Sequence, residues 1–150
     1  MHTCKAHTSY ITACDWDESS SIMRSNSGDY ELLFWDAQGN QDPSGRSNYV
    51  DTKWATHTAK MAWTVEGIYP GGVDGTYVNS VCASNDENFI LTGDDSRLWR
   101  VFNNPVRHGH KPRCYRGHSE FVCTVIWDKN DERVWTCGGQ DMTVMQWKKC

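Results

Sequence analysis

The stretch Gly117–Lys148, GHSEFVCTVIWDKNDERVWTCGGQDMTVMQWK, decides how this chain is read, because an earlier stretch repeats it. Ala6–Asp36, AHTSYITACDWDESSSIMRSNSGDYELLFWD, superimposes on it almost without gaps. His7 falls on His118, Ile11 on Val122, Trp16 on Trp127 and Asp17 on Asp128. Further on, Ile22 is placed on Val134, Ser25 on Cys137, Asp29 on Asp141 and Trp35 on Trp147. His to Asp is 22 residues in one copy and 23 in the other, and Asp to Trp is six in both. Self-similarity of this kind marks a repeat architecture, in which each copy is one unit that buries its face against its neighbours.

Each copy predicts three strands. Ile11–Trp16 and Val122–Trp127 are runs of β-formers, and the segments around Ile22–Ser25 and Val134–Cys137 supply the next strand. Gly28-Asp29 and Gly139-Gln140-Asp141 mark a tight turn, and Tyr30–Trp35 and Met142–Trp147 alternate as a third strand. No window sustains a helical period with caps, so helix is minor. A degenerate copy lies between: Tyr77–Ala83, Asn88–Thr92 and Arg97–Phe102 read as its strands. Its turn, Gly93-Asp94-Asp95, reads as short, with Asp94 and Asp95 competing for the Asp place and Phe102 in the Trp place. His7 and His118 are 111 residues apart, three periods of 37, which sets the count at three.

Composition fits this reading. The 150 residues amount to one ordinary domain. Val outnumbers Leu eleven to four, which favours strands, and eight Trp with six Tyr supply the buried area that aliphatics do not. The net charge of −4 gives no electrostatic reason to hold nucleic acid or an anionic membrane. No apolar run is long enough to span a bilayer, and Met1–Tyr10 has no apolar core of a secretory signal. Seven Cys without a signal predict reduced thiols rather than a disulfide framework.

The leading His, the turn Asp and the closing Trp35-Asp36 resemble WD40 repeats. The resemblance implies an all-β fold of WD40-type β-propeller blades, about three blades of an incomplete propeller. It also implies a hydrogen-bonded tetrad inside a blade: His7, Ser25, Asp29 and Trp35, then His118, Cys137, Asp141 and Trp147. Such a network suits buried groups, because a carboxylate needs donors and an indole N–H needs an acceptor. Cys137 is a weaker donor than Ser, so the second network is expected to be looser. Blade boundaries fall roughly at 5–55, 56–104 and 113–150.

A narrower resemblance starts at Lys53, in KWATHTAKMAWTVEGIYPGGVDGTYVNSV. Lys53-Trp54-Ala55-Thr56, Gly67-Ile68 with Pro70, Asp74-Gly75-Thr76 and Asn79 resemble the C-terminal propeller of the echinoderm microtubule-associated protein-like family. Ser25-Asn26-Ser27-Gly28-Asp29-Tyr30-Glu31 and Gly138-Gly139 with Met145-Gln146-Trp147 fit it as well. Tyr69 departs from the Trp usual there. The family's coiled coil, its hydrophobic motif and most of its two propellers have no counterpart in this sequence. The chain is therefore expected to be a fragment, an incomplete gene product or a part that docks into a larger assembly. Open blade flanks would invite partners, self-association or aggregation.

The resemblance implies a non-catalytic cytoskeletal module that binds tubulin, microtubules or microtubule-associated proteins. Its place would be the cytoplasm and cytoskeleton, including ciliary or flagellar axonemes. The alternative is a general WD40 protein-binding scaffold without microtubule contact. Asn103–Arg116 is the one locally basic stretch. Arg107, Lys111 and Arg113 are its candidate contacts with an acidic partner, and Tyr69 and Asp74 of the Tyr69–Gly75 loop are separate candidates for partner contact.

Other chemistry is weakly signalled. His108, His110, Cys114 and His118 offer enough zinc ligands but lack a Cys-x2-Cys pair, and Cys4 with His7 is weaker still. Asp15, Asp17 and Glu18 approach a calcium pattern without its Gly and closing Glu. No nucleophile, base and oxyanion turn come together, so no enzyme and no cofactor are expected. Asp17 and Asp128 read as turn residues, and Ala37–Asn48 as an inter-blade loop with disorder.

Overall fold

The computed structural model describes residues 1–75 and 77–149. Thr76 of the Asp74-Gly75-Thr76 match and Cys150 lie outside the described residues. The chain divides into two compact units, the first ending at Ala62 and the second starting at Trp63. The fold is all-β, in three antiparallel sheets.

The first unit holds β1 (Ile11–Trp16), β2 (Ile22–Ser27) and β3 (Leu32–Asp36), paired in that order. The segment read as a disordered loop is built instead. Gln41 bridges to Trp35, and a short helix, α1 (Gly45–Asn48), lies on Phe34. The Asp42 carboxylate organises that helix by accepting from Ser44 N (2.8 Å) and Asn48 Nδ2 (2.9 Å). A polar segment can thus be ordered by one carboxylate that replaces water for several donors.

The second unit holds two sheets. One is β4 (Val78–Ala83), β5 (Phe89–Asp94), β6 (Leu98–Asn103) and β7 (Arg113–Arg116) in chain order. The other is β8 (Val122–Trp127), β9 (Arg133–Gly138) and β10 (Val144–Lys148). Arg113–Arg116 pairs with β6 as the last strand of the middle sheet. Between the sheets lies a core of Leu91, Trp99, Val122, Val125 and Val134. Trp99 stacks on Tyr115 at 4.3 Å between ring centres, and Trp147 leans on it at 5.1 Å.

The three sheets share one local grammar. The first strand of each carries a bulge, at Ile11/Ala13, Val78/Ser80 and Val122/Thr124. The first hairpin of each closes on a polar side chain: Asp17, Ser84 and Asp128. The Asp17 carboxylate accepts from the N–H groups of Ser21 and Ile22 (2.7 Å each), and Asp128 accepts from those of Glu132 and Arg133. Burial pushes the Asp17 carboxyl up, but donors from Ser19, Ile22 and Ser21 outweigh it and hold it at about 2. A left-handed residue completes each hairpin: Ser20, Glu87 and Asp131.

Gly67 of the Gly67-Ile68 match has a plain steric reason. A Cβ there would sit 2.1 Å from the Arg107 carbonyl oxygen. Backbone bonds Gly67 N to Val106 O (2.9 Å) and Val106 N to Thr64 O (2.7 Å) fix that approach.

Candidate functional site

In the first sheet, His7, Ser25, Asp29 and Trp35 form one hydrogen-bonded chain. His7 Nδ1 meets Asp29 Oδ2 at 3.0 Å, His7 Nε2 meets Ser25 Oγ at 2.8 Å, and Trp35 Nε1 donates to Ser25 Oγ at 2.8 Å. With Nδ1 protonated, every group in the chain is satisfied: His7 donates to the carboxylate, Ser25 donates to His7, and Trp35 donates to Ser25. Burial pushes the Asp29 carboxyl up, but donors from Glu31 N, Thr8 N and His7 bring it well below the usual range.

The last sheet repeats the chain with one correction. Thr136, not Cys137, occupies the hydroxyl place. His118 Nε2 meets Thr136 Oγ1 at 2.8 Å, Trp147 Nε1 donates to it at 2.9 Å, and His118 Nδ1 meets Asp141 Oδ2 at 2.8 Å. His7 precedes Ser25 by 18 residues, and His118 precedes Thr136 by 18. The extra residue of this copy therefore sits in the turn after β9, not before Val134. Cys137 is the next residue along, so its side chain faces the other side of the strand. Its carbonyl accepts from Cys123 Sγ (3.2 Å).

The middle sheet keeps the register and loses the network. Phe102 faces Ile90, two residues before Thr92, as Trp35 faces Met23 and Trp147 faces Val134. Thr92 is thus the hydroxyl of this copy. It is fully buried, and among the described residues its Oγ1 has no partner, because Phe102 has no N–H to give. The turn is also not short. Left-handed Arg97 corresponds to Tyr30 and Met142, so Ser96 stands in the Asp place rather than Asp94 or Asp95. Asp94 lies buried on β5, bonded to Ser96 N (2.8 Å) and paired with Arg100, while Asp95 accepts from Asn79 Nδ2 (2.9 Å).

Sequence reasoning missed the most connected site. Asp15 on β1, 1% exposed, faces Arg24 on β2 and pairs with it at 3.0 Å. The Lys53–Ala59 stretch wraps onto this pair. Asp15 accepts from Thr56 Oγ1 (2.7 Å), Thr58 N (2.9 Å), Thr58 Oγ1 (2.8 Å) and Ala59 N (3.0 Å). Arg24 Nη2 donates to His57 Nδ1 at 2.8 Å, and its guanidinium lies 4.2 Å over the Trp54 ring. Burial pushes the Asp15 carboxyl up, but the Arg24 charge and the Thr56 and Thr58 donors lower it overall. Burial, then the Arg24 charge, lowers His57 to about 4. The available signal was an Asp and an Arg nine residues apart, each inside a predicted strand.

A pH dependence follows from this site. An unfolded His57 takes up a proton near its ordinary 6.5, whereas the folded one resists until about 4. Between those values the unfolded chain binds more protons, so stability falls as pH falls. The expected loss from His57 is up to about 3 kcal/mol across that window. Urea unfolding at stepped pH measures it, and His57→Gln should flatten the slope between pH 6.5 and 4. An unchanged slope in that variant would refute the assignment.

Among the described residues, three metal-capable side chains converge at His7, Asp29 and Glu31, not in the His108–His118 loop. Both His7 nitrogens there are already engaged by Asp29 and Ser25. Asp15 and Asp17 serve separate networks rather than one calcium loop.

The contact residues expected from sequence separate. Lys111 and Arg113 line one groove of the second unit, of about 710 Å³, together with Lys148 and Lys149. Arg107 is not among its lining residues. It sits where the 107–110 turn meets Gly67. Tyr69 is half-buried and Asp74 exposed, in the loop leading to β4. No helix of the described residues is long and apolar enough to cross a membrane.

The geometry can be set beside known proteins. The computationally designed Ika4 protein superimposes with a TM-score of 0.63 at 16% identity, covering 99% of this chain and 96% of that one. The WD40 β-propeller domain of Doa1 does so with a TM-score of 0.50 at 20% identity, covering 97% and 40%. The likeness to Doa1 shows the propeller-blade fold, and the three sheets amount to about three blades. By sequence, the chain is 44% identical to a ciliary WD repeat-containing protein, ctxp80, of Euplotoides octocarinatus over 99% of its length. It is 41% identical over 96% of its length to the 77 kDa echinoderm microtubule-associated protein of Lytechinus variegatus. It is 36% identical over 97% to echinoderm microtubule-associated protein-like 3 of Homo sapiens. It spans 21%, 22% and 16% of these relatives, about a fifth of their length. Residues 1–149 match the model of the echinoderm microtubule-associated protein second β-propeller, and the chain belongs to that family.

Proposed function

We propose that this chain is a non-catalytic interaction module of the cytoskeleton that contacts tubulin, microtubules or microtubule-associated proteins. Family membership carries the reading: the relatives are named as microtubule-associated, and one as ciliary. Its place is the cytoplasmic cytoskeleton, including the axoneme of ciliated cells. Lys111 and Arg113, exposed on one groove, are the contacts best suited to an acidic protein surface, with Arg107 beyond it; Tyr69 and Asp74 would contact a different part of the partner.

Cosedimentation with polymerised microtubules tests this. The chain should pellet saturably with microtubules and stay soluble without them. Lys111→Glu with Arg113→Glu should weaken pelleting about tenfold and reduce its salt dependence. Chain left in the supernatant at all microtubule concentrations would favour a general WD40 scaffold, with attachment residing in the other four-fifths of a protein like its relatives. Pelleting in the control would report self-association through open sheet edges, such as that carrying exposed Val144.

A further inference from the structure

We propose that the groove between the middle and last sheets of the second unit is a binding site for an extended acidic peptide. Its rim carries four cations, Lys111, Arg113, Lys148 and Lys149, and no Asp or Glu is among the described residues lining it. In a chain of net charge −4 that local excess is a strong departure. Cations gathered on one concave surface attract and orient an anionic partner.

The floor is aromatic and short of acceptors. Trp99 and Trp127 line it, and among the described residues neither indole N–H has a partner. Trp99 is 4% exposed, so its unmet donor lies deep in the fold. A buried donor without an acceptor costs free energy. A ligand rich in carboxylates and backbone carbonyls supplies acceptors to such a floor and counter-charge to the rim. Both indoles are covered by neighbouring rings, so full engagement involves a shift of the floor side chains.

A basic aromatic groove also suits single-stranded nucleic acid, which stacks its bases on exposed ring faces. Here the ring faces are already taken. Trp99 stacks on Tyr115, Trp147 leans on both, and the Lys149 ammonium covers Phe89 at 5.0 Å and Trp127 at 5.7 Å. Carboxylates on a flexible backbone need only the cations, which the exposed rim presents, and this favours the acidic peptide.

The proposal shares Lys111 and Arg113 with the microtubule reading, but it is argued from the charge and rings of the groove and its failure is read separately. Its test is titration of the nitrogen-15-labelled chain with a short Glu-rich peptide, reading the indole N–H signals of Trp99 and Trp127. Both signals should move saturably, and binding should weaken as salt is raised. Lys111→Glu with Arg113→Glu should weaken it by at least about tenfold while leaving the spectrum of the free chain folded. The Gln-rich analogue of the peptide should not bind. Unmoved indole signals, equal binding of the Gln-rich analogue, or tighter binding of a single-stranded oligonucleotide would each overturn the proposal. A chain that pellets with microtubules but ignores the peptide would sink this inference alone. Peptide binding without pelleting would sustain it and count against the microtubule reading.

Discussion

Asp15→Ala should destabilise the first unit by about 3–5 kcal/mol, the range for removing one partner of a buried ion pair. The carboxylate is buried and receives side-chain and backbone donors from Thr56, Thr58 and Ala59 as well as the Arg24 guanidinium. Removing it leaves a buried cation and several buried N–H and O–H groups without an acceptor. A domain's whole stability is about 5–15 kcal/mol, so the variant should be close to unfolding at room temperature. Urea unfolding followed by tryptophan fluorescence reads the change, since Trp54 lies under Arg24. Asp15→Ala combined with Arg24→Met should recover part of the loss, because the stranded charge goes with its partner. A loss under about 1 kcal/mol in the single variant would mean that Asp15 does not hold the Lys53–Ala59 stretch in place.

Thr136→Val is the second large effect, at about 2–4 kcal/mol. One hydroxyl serves both Trp147 Nε1 and His118 Nε2, and Val keeps the shape while leaving both groups unsatisfied at about 1–3 kcal/mol each. Thr136→Ser should cost far less, since it keeps the oxygen. Cys137→Ser, one position on, should stay within about 0.5 kcal/mol, because that side chain is outside the network. Thermal unfolding of the three variants in parallel decides it. A Cys137 variant more damaging than the Thr136 one would restore the pairing expected from the sequence alignment.

That alignment shows what was legible and what was not. The strands were readable because β-formers, Gly turns and the His, Asp and Trp of the outer copies recur at fixed spacing. The first tetrad could be named residue by residue for the same reason. The second slipped by one position because the extra residue was placed before Val134. Spacing alone cannot tell a gap in a strand from a gap in a turn, whereas the pleat can: one residue of slip moves a side chain to the opposite face. The middle turn was misjudged for a related reason. Acidic residues at 94 and 95 mask Ser96 in the sequence, and the left-handed backbone at Arg97 gives the true register. The Asp15 site left one trace, an Asp and an Arg nine residues apart inside predicted strands, but its other donors come from Thr56–Ala59, more than forty residues away, and no local pattern announces such a contact. The groove was half legible: Lys111 and Arg113 stand out as basic, but Lys148 and Lys149 join them only because the middle and last sheets pack on each other around Trp99.

The middle sheet shows what remains when a repeat's signature is stripped away. It has neither a His–Asp couple nor a Trp at the closing position, and its Thr92 hydroxyl is left idle, yet its bulge and both left-handed turns stay in place. The constant unit is then main-chain geometry, and the polar tetrad is added stabilisation that one sheet does without. Mutational robustness follows. Such an array can lose its diagnostic residues one repeat at a time and still fold, so counting diagnostic residues underestimates how many repeats it contains.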